Sequence, residues 1–159
     1  MSNVNPTQKF TNARLMAVQA GYAKEVSDEM WDKIVSKFLL GEIGGQVIED
    51  GIAGREKYID LQPADAALFT AIVKEYQDKE DMINEIIRSN LGQSLDYDRM
   101  ELLLKCILRM GIAEFYANPD LPSPIIVNEY VDMTRAFFSG TEAKIVNAIL
   151  DKFAKVVRG

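Results

Sequence analysis

The residues available for chemistry are limited first by what the chain lacks. It contains no histidine and a single cysteine, Cys106. Ser-His and Cys-His nucleophilic pairs are therefore excluded, and one cysteine without histidine does not make a conventional zinc site. The 24 Asp and Glu residues leave carboxylate chemistry as the remaining acid–base option. We therefore expect no metal or other cofactor, and we rank an enzyme last among the possible classes.

The charge of the chain is unevenly distributed along its length. The formal net charge is −6 at pH 7. The first 24 residues nevertheless hold Lys9, Arg14 and Lys24 and no acid, and Thr141–Gly159 holds more bases than acids. Basic ends on an acidic body can present a local site for a polyanion such as a nucleic acid. The alternative is solvated surface charge that binds no ligand.

Polar residues interrupt three apolar helical segments in the last third of the chain. They are Arg109 and Glu114 in the first segment, Asn128 and Glu129 in the second, and Asn147 in the third. Burying such groups is costly unless they are paired. Arg109 and Glu114 lie five residues apart, nearly on opposite sides of one helix, so we expect Arg109 to pair with Glu129 instead. We expect both asparagines to bridge helix ends in the same network; contact with a ligand is the alternative role.

Helical spacing of apolar residues must position these groups, because no segment alternates with the period of a strand. The predicted helices cover Phe10–Ala23, Ser27–Leu39, a third from Pro63, Met82–Leu91, Asp98–Tyr116, Ser123–Phe138 and a seventh from Thr141. The fold class is therefore predicted as all-α, with about seven helices in two antiparallel helix bundles that share one core. A single domain spanning residues 1–159 fits this length.

Several local signals predict where the helices begin. Ser27 is the expected N-cap of the second helix, with Met30 on its buried face, and Asp96 or Asp98 should cap the fifth. Thr141 should cap the seventh helix. The glycine-rich segment Gly41–Leu61 is predicted as a flexible connection, since it lacks the Gly-Lys-Ser/Thr of a phosphate-binding loop.

The chain shows no signal for export or for membrane insertion. No stretch approaches the roughly 20 apolar residues of a membrane span, and the first residues lack an apolar signal-peptide core. The one cysteine is also typical of a reduced compartment. We therefore expect a cytoplasmic protein without membrane association.

Four segments, taken in order, resemble the NusB family. Ala13–Tyr22 is similar to the first helix of that family, in which Ala-Arg is followed by Ala-Val-Gln-Ala. Ile107–Phe115, Ile126–Asp132 and Lys144–Asp151 resemble its last three helices. The resemblance includes both ends of the chain, whereas the middle matches only in its helical pattern.

The resemblance implies a function as well as a fold. Members of the family are transcription antitermination factors that bind boxA-type single-stranded RNA together with the ribosomal protein NusE, in the RNA polymerase antitermination complex, and promote transcription of ribosomal RNA operons. The RNA surface would lie on the first helix, where Arg14 matches the family arginine, and at the start of the last helix, where Lys144 matches the lysine. The oligomeric state would be a monomer or a homodimer.

Candidate site residues follow from the resemblance and from the charge pattern. Aromatic side chains near bases, such as Tyr22 and Tyr130, can stack on unpaired RNA bases, although at helical spacing they are more often core residues. The candidates for RNA binding are Lys9, Asn12, Arg14, Gln19, Tyr22, Lys144, Ile145 and Lys152. The candidates for partner binding, around the fifth helix and the start of the last, are Glu101, Lys105, Thr141 and Glu142.

The sequence departs from the family pattern at three places, of which the first two weaken RNA binding. The family commonly has an arginine cluster where Phe10, Thr11 and Asn12 stand, a phenylalanine where Ile145 stands, and a glycine where Ala148 follows Asn147. We therefore expect weak RNA binding by the protein alone and tighter binding with NusE. The alternatives are a helical protein-interaction module with lost or weak RNA binding, and a detached NusB-like domain of a ribosomal RNA methyltransferase.

Overall fold

The computed structural model describes residues 6–41 and 63–158, and these residues form seven α-helices and no strand. In chain order the helices are α1 (Pro6–Ser27), α2 (Trp31–Leu39), α3 (Ala66–Asp78), α4 (Glu80–Asn90), α5 (Leu102–Ala117), α6 (Ser123–Phe137) and α7 (Glu142–Arg158). The prediction of an all-α fold is confirmed. The predicted connection Gly41–Leu61 lies, apart from Gly41, outside the described residues.

The chain divides into two compact units, Met1–Thr70 and Ala71–Gly159. In the first unit, α1 contacts α2, and the small residues Ala13, Ala17 and Ala20 of α1 are fully buried. The ring of Phe38 on α2 lies 6.2 Å, centroid to centroid, from the ring of Phe69 on α3. Aromatic pairs at this separation add to the burial of apolar area, and they help to join α2 to the start of α3.

The predicted start of α2 is wrong by several residues. Ser27 is the last residue of α1, where its hydroxyl donates to the carbonyl of Ala23, and α2 begins at Trp31. Asp28 follows with φ 58°, a left-handed conformation that ends α1 in the way glycine often does. Because the helix starts late, Met30 lies outside it at 77% exposure, and Trp31 takes the buried position predicted for Met30.

The second unit is built around α5, as its nearly continuous apolar sequence predicts. This helix contacts α4, α6 and α7, and every residue from Cys106 to Phe115 is buried. Gly111 permits the close approach, because a Cβ there would lie 3.0 Å from Leu150 Cδ1 on α7. The helix starts at Leu102 and not at the predicted Asp98, because a separate 3₁₀ turn, Tyr97–Arg99, precedes it. Asp96 caps that turn by accepting from the Asp98 amide.

The last helix is fixed at both of its ends. It begins at Glu142, directly after the predicted cap Thr141, and the Glu142 carboxylate accepts from the Gly140 amide at 3.1 Å. At the other end, the Arg158 guanidinium donates to the carbonyls of Phe115 and Asn118 at 2.9 Å each, and to that of Leu121. These bonds satisfy carbonyls at and beyond the end of α5, so they hold α7 against α5.

Candidate nucleic-acid interface

At the start of α1, the exposed Lys9 lies close to Asn12, which hydrogen-bonds this helix to the segment ahead of α3. Lys9 is exposed, and its carbonyl accepts from the Asp65 amide at 3.1 Å. Asn12 is half-buried; its amide donates to the Pro63 carbonyl at 2.8 Å and its side-chain oxygen accepts from Gln8 at 2.9 Å. The Asn12 side chain thus holds the segment ahead of α3 against α1. These bonds occupy the amide nitrogen and the oxygen with which Asn12 would contact RNA.

The middle of α1 does not present its predicted RNA contacts to solvent. Arg14 is 4% exposed and Gln19 is 6% exposed, whereas Tyr22 is half-buried. A guanidinium buried to this degree reaches a phosphate only if the surrounding side chains move. Direct RNA contact by Arg14 and Gln19 stays a prediction, and their burial favours a part in holding α1 in place.

The candidate residues of α7 have a different environment. Lys144 and Lys152 are exposed, and neither forms an ion pair with any carboxylate of the described residues. Ile145, predicted to replace the family's stacking ring, is half-buried. These two ammonium groups are available to an anion without breaking an existing contact.

Arg109 lies in a polar cluster that the sequence did not reveal. Its Nε donates to Asn84 Oδ1 and to the Tyr97 hydroxyl, both at 2.9 Å. The Tyr97 hydroxyl also donates to Asn84 Oδ1, and Asn84 Nδ2 donates to the Tyr76 hydroxyl at 3.1 Å. The guanidinium lies 5.8 Å from the centroids of both tyrosine rings, close enough for cation–π attraction.

The tyrosines of the cluster remain protonated. Burial raises the pKa of Tyr76 and of Tyr97 above the ordinary phenol value, although the Arg109 charge opposes the rise. A guanidinium stays charged under all ordinary conditions. The cluster therefore combines one permanent positive charge with neutral hydroxyl and amide groups. That composition is suited to holding α4, α5 and the 3₁₀ turn together.

Glu114 is bonded within a second cluster farther along α5. This carboxylate is fully buried; it accepts from the Tyr130 hydroxyl at 2.8 Å and from Asn118 Nδ2 at 3.2 Å. Tyr130 is also fully buried, so it belongs to the core and does not offer a stacking surface. Hydrogen bonds join Glu114 to Tyr130 and Asn118, and Arg109 to Asn84 and Tyr97.

The predicted network is wrong about burial at two positions. Asn128 and Asn147 are both exposed. Each directly follows a buried valine, Val127 or Val146, and one step of about 100° along a helix turns the next side chain toward solvent. Glu129 is half-buried, and its pairing with Arg109 stays a prediction.

Sequence reasoning missed three polar residues of the Arg109 cluster: Tyr76, Asn84 and Tyr97. Tyr76 continues the buried face of Ile72 and Val73 at spacings of four and three residues, which is the signal that predicts its burial. Nothing local to Asn84 or Tyr97 indicates Arg109 as a partner, because 25 and 12 residues separate them from it.

The predicted partner-binding residues lie at the starts of α5 and α7. Glu101 is exposed and precedes α5, and the half-buried Lys105 places its ammonium 4.7 Å from the centroid of the Tyr97 ring. Thr141 is exposed and Glu142 half-buried at the start of α7. The structure thus gathers these four residues at two helix starts within one unit.

The sequence and the fold were compared with known proteins. The profile of the NusB family matches residues 11–155. The transcription antitermination protein NusB of Rhodospirillum rubrum is 34% identical over 154 residues, covering 92% of this chain and 83% of that protein. The protein of the same name from Agrobacterium fabrum is 35% identical over 157 residues, covering 99% and 90%.

Two solved structures share the fold at low sequence identity. T. maritima NusB has a TM-score of 0.67 and 20% identity, covering 91% of this chain and 89% of that one. A crystal structure of the antitermination factors NusB and NusE in complex with dsRNA gives a TM-score of 0.66 and 19% identity, covering 92% and 96%. No helix within residues 6–41 and 63–158 is both long and apolar enough to cross a membrane. From the profile match and the identity to these relatives, the chain belongs to the NusB family.

Proposed function

We propose that this protein is a transcription antitermination factor that binds boxA-type single-stranded RNA together with the ribosomal protein NusE. The observation that carries the proposal is the family match over residues 11–155, joined to relatives named as transcription antitermination proteins. The fold shared with a NusB–NusE–RNA complex supports it. Binding promotes transcription of ribosomal RNA operons through the RNA polymerase antitermination complex, without catalysis and in the cytoplasm.

Exposed lysines near both ends of the chain bind the RNA. Lys144 offers an exposed ammonium at the start of α7, and Lys9 offers one on α1. Asn12 holds the segment before α3 against α1, and Arg14 is buried, so direct RNA contact by Arg14 requires the surrounding side chains to move. The partner protein contacts the start of α5, where Glu101 and Lys105 lie.

The affinity for RNA alone should be low, because few phosphate contacts are available. Each lysine–phosphate contact adds about 0.7 to the slope of log K against log salt on a single strand. Phe10, Thr11 and Asn12 supply no positive charge where the family commonly has arginines. NusE therefore has to add contacts or ordering before the complex binds tightly.

The test is binding of a labelled boxA-like RNA, with and without NusE, across a salt series. We expect salt-sensitive binding that NusE strengthens and that Lys144→Ala weakens. Lys74→Ala is the matched control, since Lys74 is an exposed lysine on α3 in the same unit. Equal RNA affinity with and without NusE would contradict cooperative binding, and no RNA binding in either condition would contradict the function.

The second candidate is a protein-interaction module that has lost RNA binding. The low exposure of Arg14 and the missing arginines ahead of Ala13 favour it. It predicts tight NusE binding that single-stranded RNA neither strengthens nor displaces. Competition by single-stranded RNA in a NusE pull-down separates the two functions.

A further inference from the structure

The exposed side of α7 carries positive charge well beyond its first turn. Lys144, Ala148 and Lys152 are all exposed and follow each other at four-residue intervals, so they lie along one side of the helix. Val146, Ile149, Leu150, Phe153 and Ala154 are buried, which fixes the orientation of the helix. The eight steps from Lys144 to Lys152 advance about 12 Å along the axis.

The charges along this side are not all available. Lys155 forms an ion pair with Asp151 at 3.1 Å, so these two charges offset each other. Lys144 and Lys152 have no such partner among the residues that the structure describes. Between the two free ammonium groups stands Ala148, whose methyl group leaves room for a chain to lie against the helix. Asn147 adds an exposed amide beside it.

We propose that Lys144 and Lys152 together form a phosphate-binding ridge, along which the RNA backbone follows α7 for about two turns. The inference rests on the proposed function and extends it, because the resemblance implies only the start of the last helix. Because the two lysines are about 12 Å apart along the helix axis, each binds a different phosphate of the strand and contributes its own counterion release.

Salt-dependent RNA binding by the full chain with NusE tests the ridge. Lys152→Ala should lower the slope of log K against log salt by about 0.7, Lys144→Ala by the same amount, and the double variant by about 1.4. Over a fourfold change in salt concentration, each lost contact reduces the change in affinity by a factor of about 2.6. Lys152→Arg retains the charge and should keep the wild-type slope.

The control is Lys74→Ala, which removes the same charge from α3 and should leave the slope unchanged. A slope for Lys152→Ala equal to that of Lys74→Ala, while Lys144→Ala lowers it, would overturn the ridge and leave the proposed function intact. Absence of RNA binding by the wild-type protein with NusE would overturn both. Circular dichroism of each variant establishes that the helices are formed.

Discussion

Two charged residues in the middle of α5 and two lysines of α7 occupy opposite environments, although both helices belong to the same unit. Arg109 and Glu114 on α5 are buried and bonded to tyrosines and asparagines. Lys144 and Lys152 on α7 are exposed and bear no ion pair to the described residues. The difference follows from the neighbours of each helix: α4, α6 and α7 all contact α5, whereas the buried residues of α7 lie on one side. The Arg109 and Glu114 charges on α5 therefore serve stability, and the Lys144 and Lys152 charges on α7 are left for binding.

The largest effect that this comparison predicts comes from Arg109→Ala. The substitution removes the Nε hydrogen bonds to Asn84 and Tyr97, and it leaves a cavity where the apolar stem packed. We expect a loss of about 3 kcal/mol in the free energy of unfolding, measured by urea denaturation.

Arg109→Lys is the informative second variant at this position. An ammonium retains the charge but cannot reproduce the Nε bonds in the planar geometry of a guanidinium. It should recover only part of the lost stability. A full recovery would mean that charge alone, without the bonding geometry, stabilises the cluster.

Tyr130→Phe tests the second buried charge of α5 and should cost about 2 kcal/mol in the free energy of unfolding. The hydroxyl donates to a fully buried carboxylate, and removing a donor to a charged group costs more than removing one to a neutral group. Tyr22→Phe is the matched control, because Tyr22 is only half-buried. Equal losses in the two variants would show that the Glu114 carboxylate does not depend on Tyr130.

Gly111→Ala tests how closely α5 is packed and should cost about 1–2 kcal/mol. The added methyl group would lie 3.0 Å from Leu150 Cδ1 and 3.4 Å from Tyr130 Cγ, so neighbouring side chains must move. Gly92→Ala is the control, because a Cβ at Gly92 meets no atom within 4 Å. Thermal unfolding of both variants measures the difference; an unchanged midpoint for Gly111→Ala would show that α5 and α7 have room to separate.

The sequence predicted the helices of the second unit better than the bonds that join them. An apolar pattern that surrounds α5 predicts its central place, because only a helix with neighbours on several sides can bury every face. The partners of Arg109 could not be predicted from the sequence, since Asn84 and Tyr97 are recognisable as partners only after α4 and the 3₁₀ turn pack against α5. Helix periodicity predicts burial but not which polar groups meet.

The candidate RNA residues divide in the same way. The resemblance supplied Arg14 and Lys144 as equivalent candidates, and the structure buries one and exposes the other. The small residues of α1 that predict close packing, Ala13 and Ala17 on either side of Arg14, are both fully buried. That pattern was available in the sequence and would have predicted the low exposure of Arg14. Nothing comparable surrounds Lys152, which has buried Phe153 on one side and exposed Asp151 on the other.

The smallest expected effect on stability completes the comparison. The double variant Lys144→Ala, Lys152→Ala should change the free energy of unfolding by less than about 0.5 kcal/mol, because exposed side chains without ion pairs contribute little to the folded state. Removing two positive charges from an acidic protein raises its net negative charge, and that repulsion is screened at ordinary salt. Urea denaturation measures the change, and the RNA-binding slope of the same preparation measures the separate loss. A stability loss as large as that of Tyr130→Phe would mean that these lysines stabilise α7, and the distinction between the buried charges of α5 and the exposed lysines of α7 would fail.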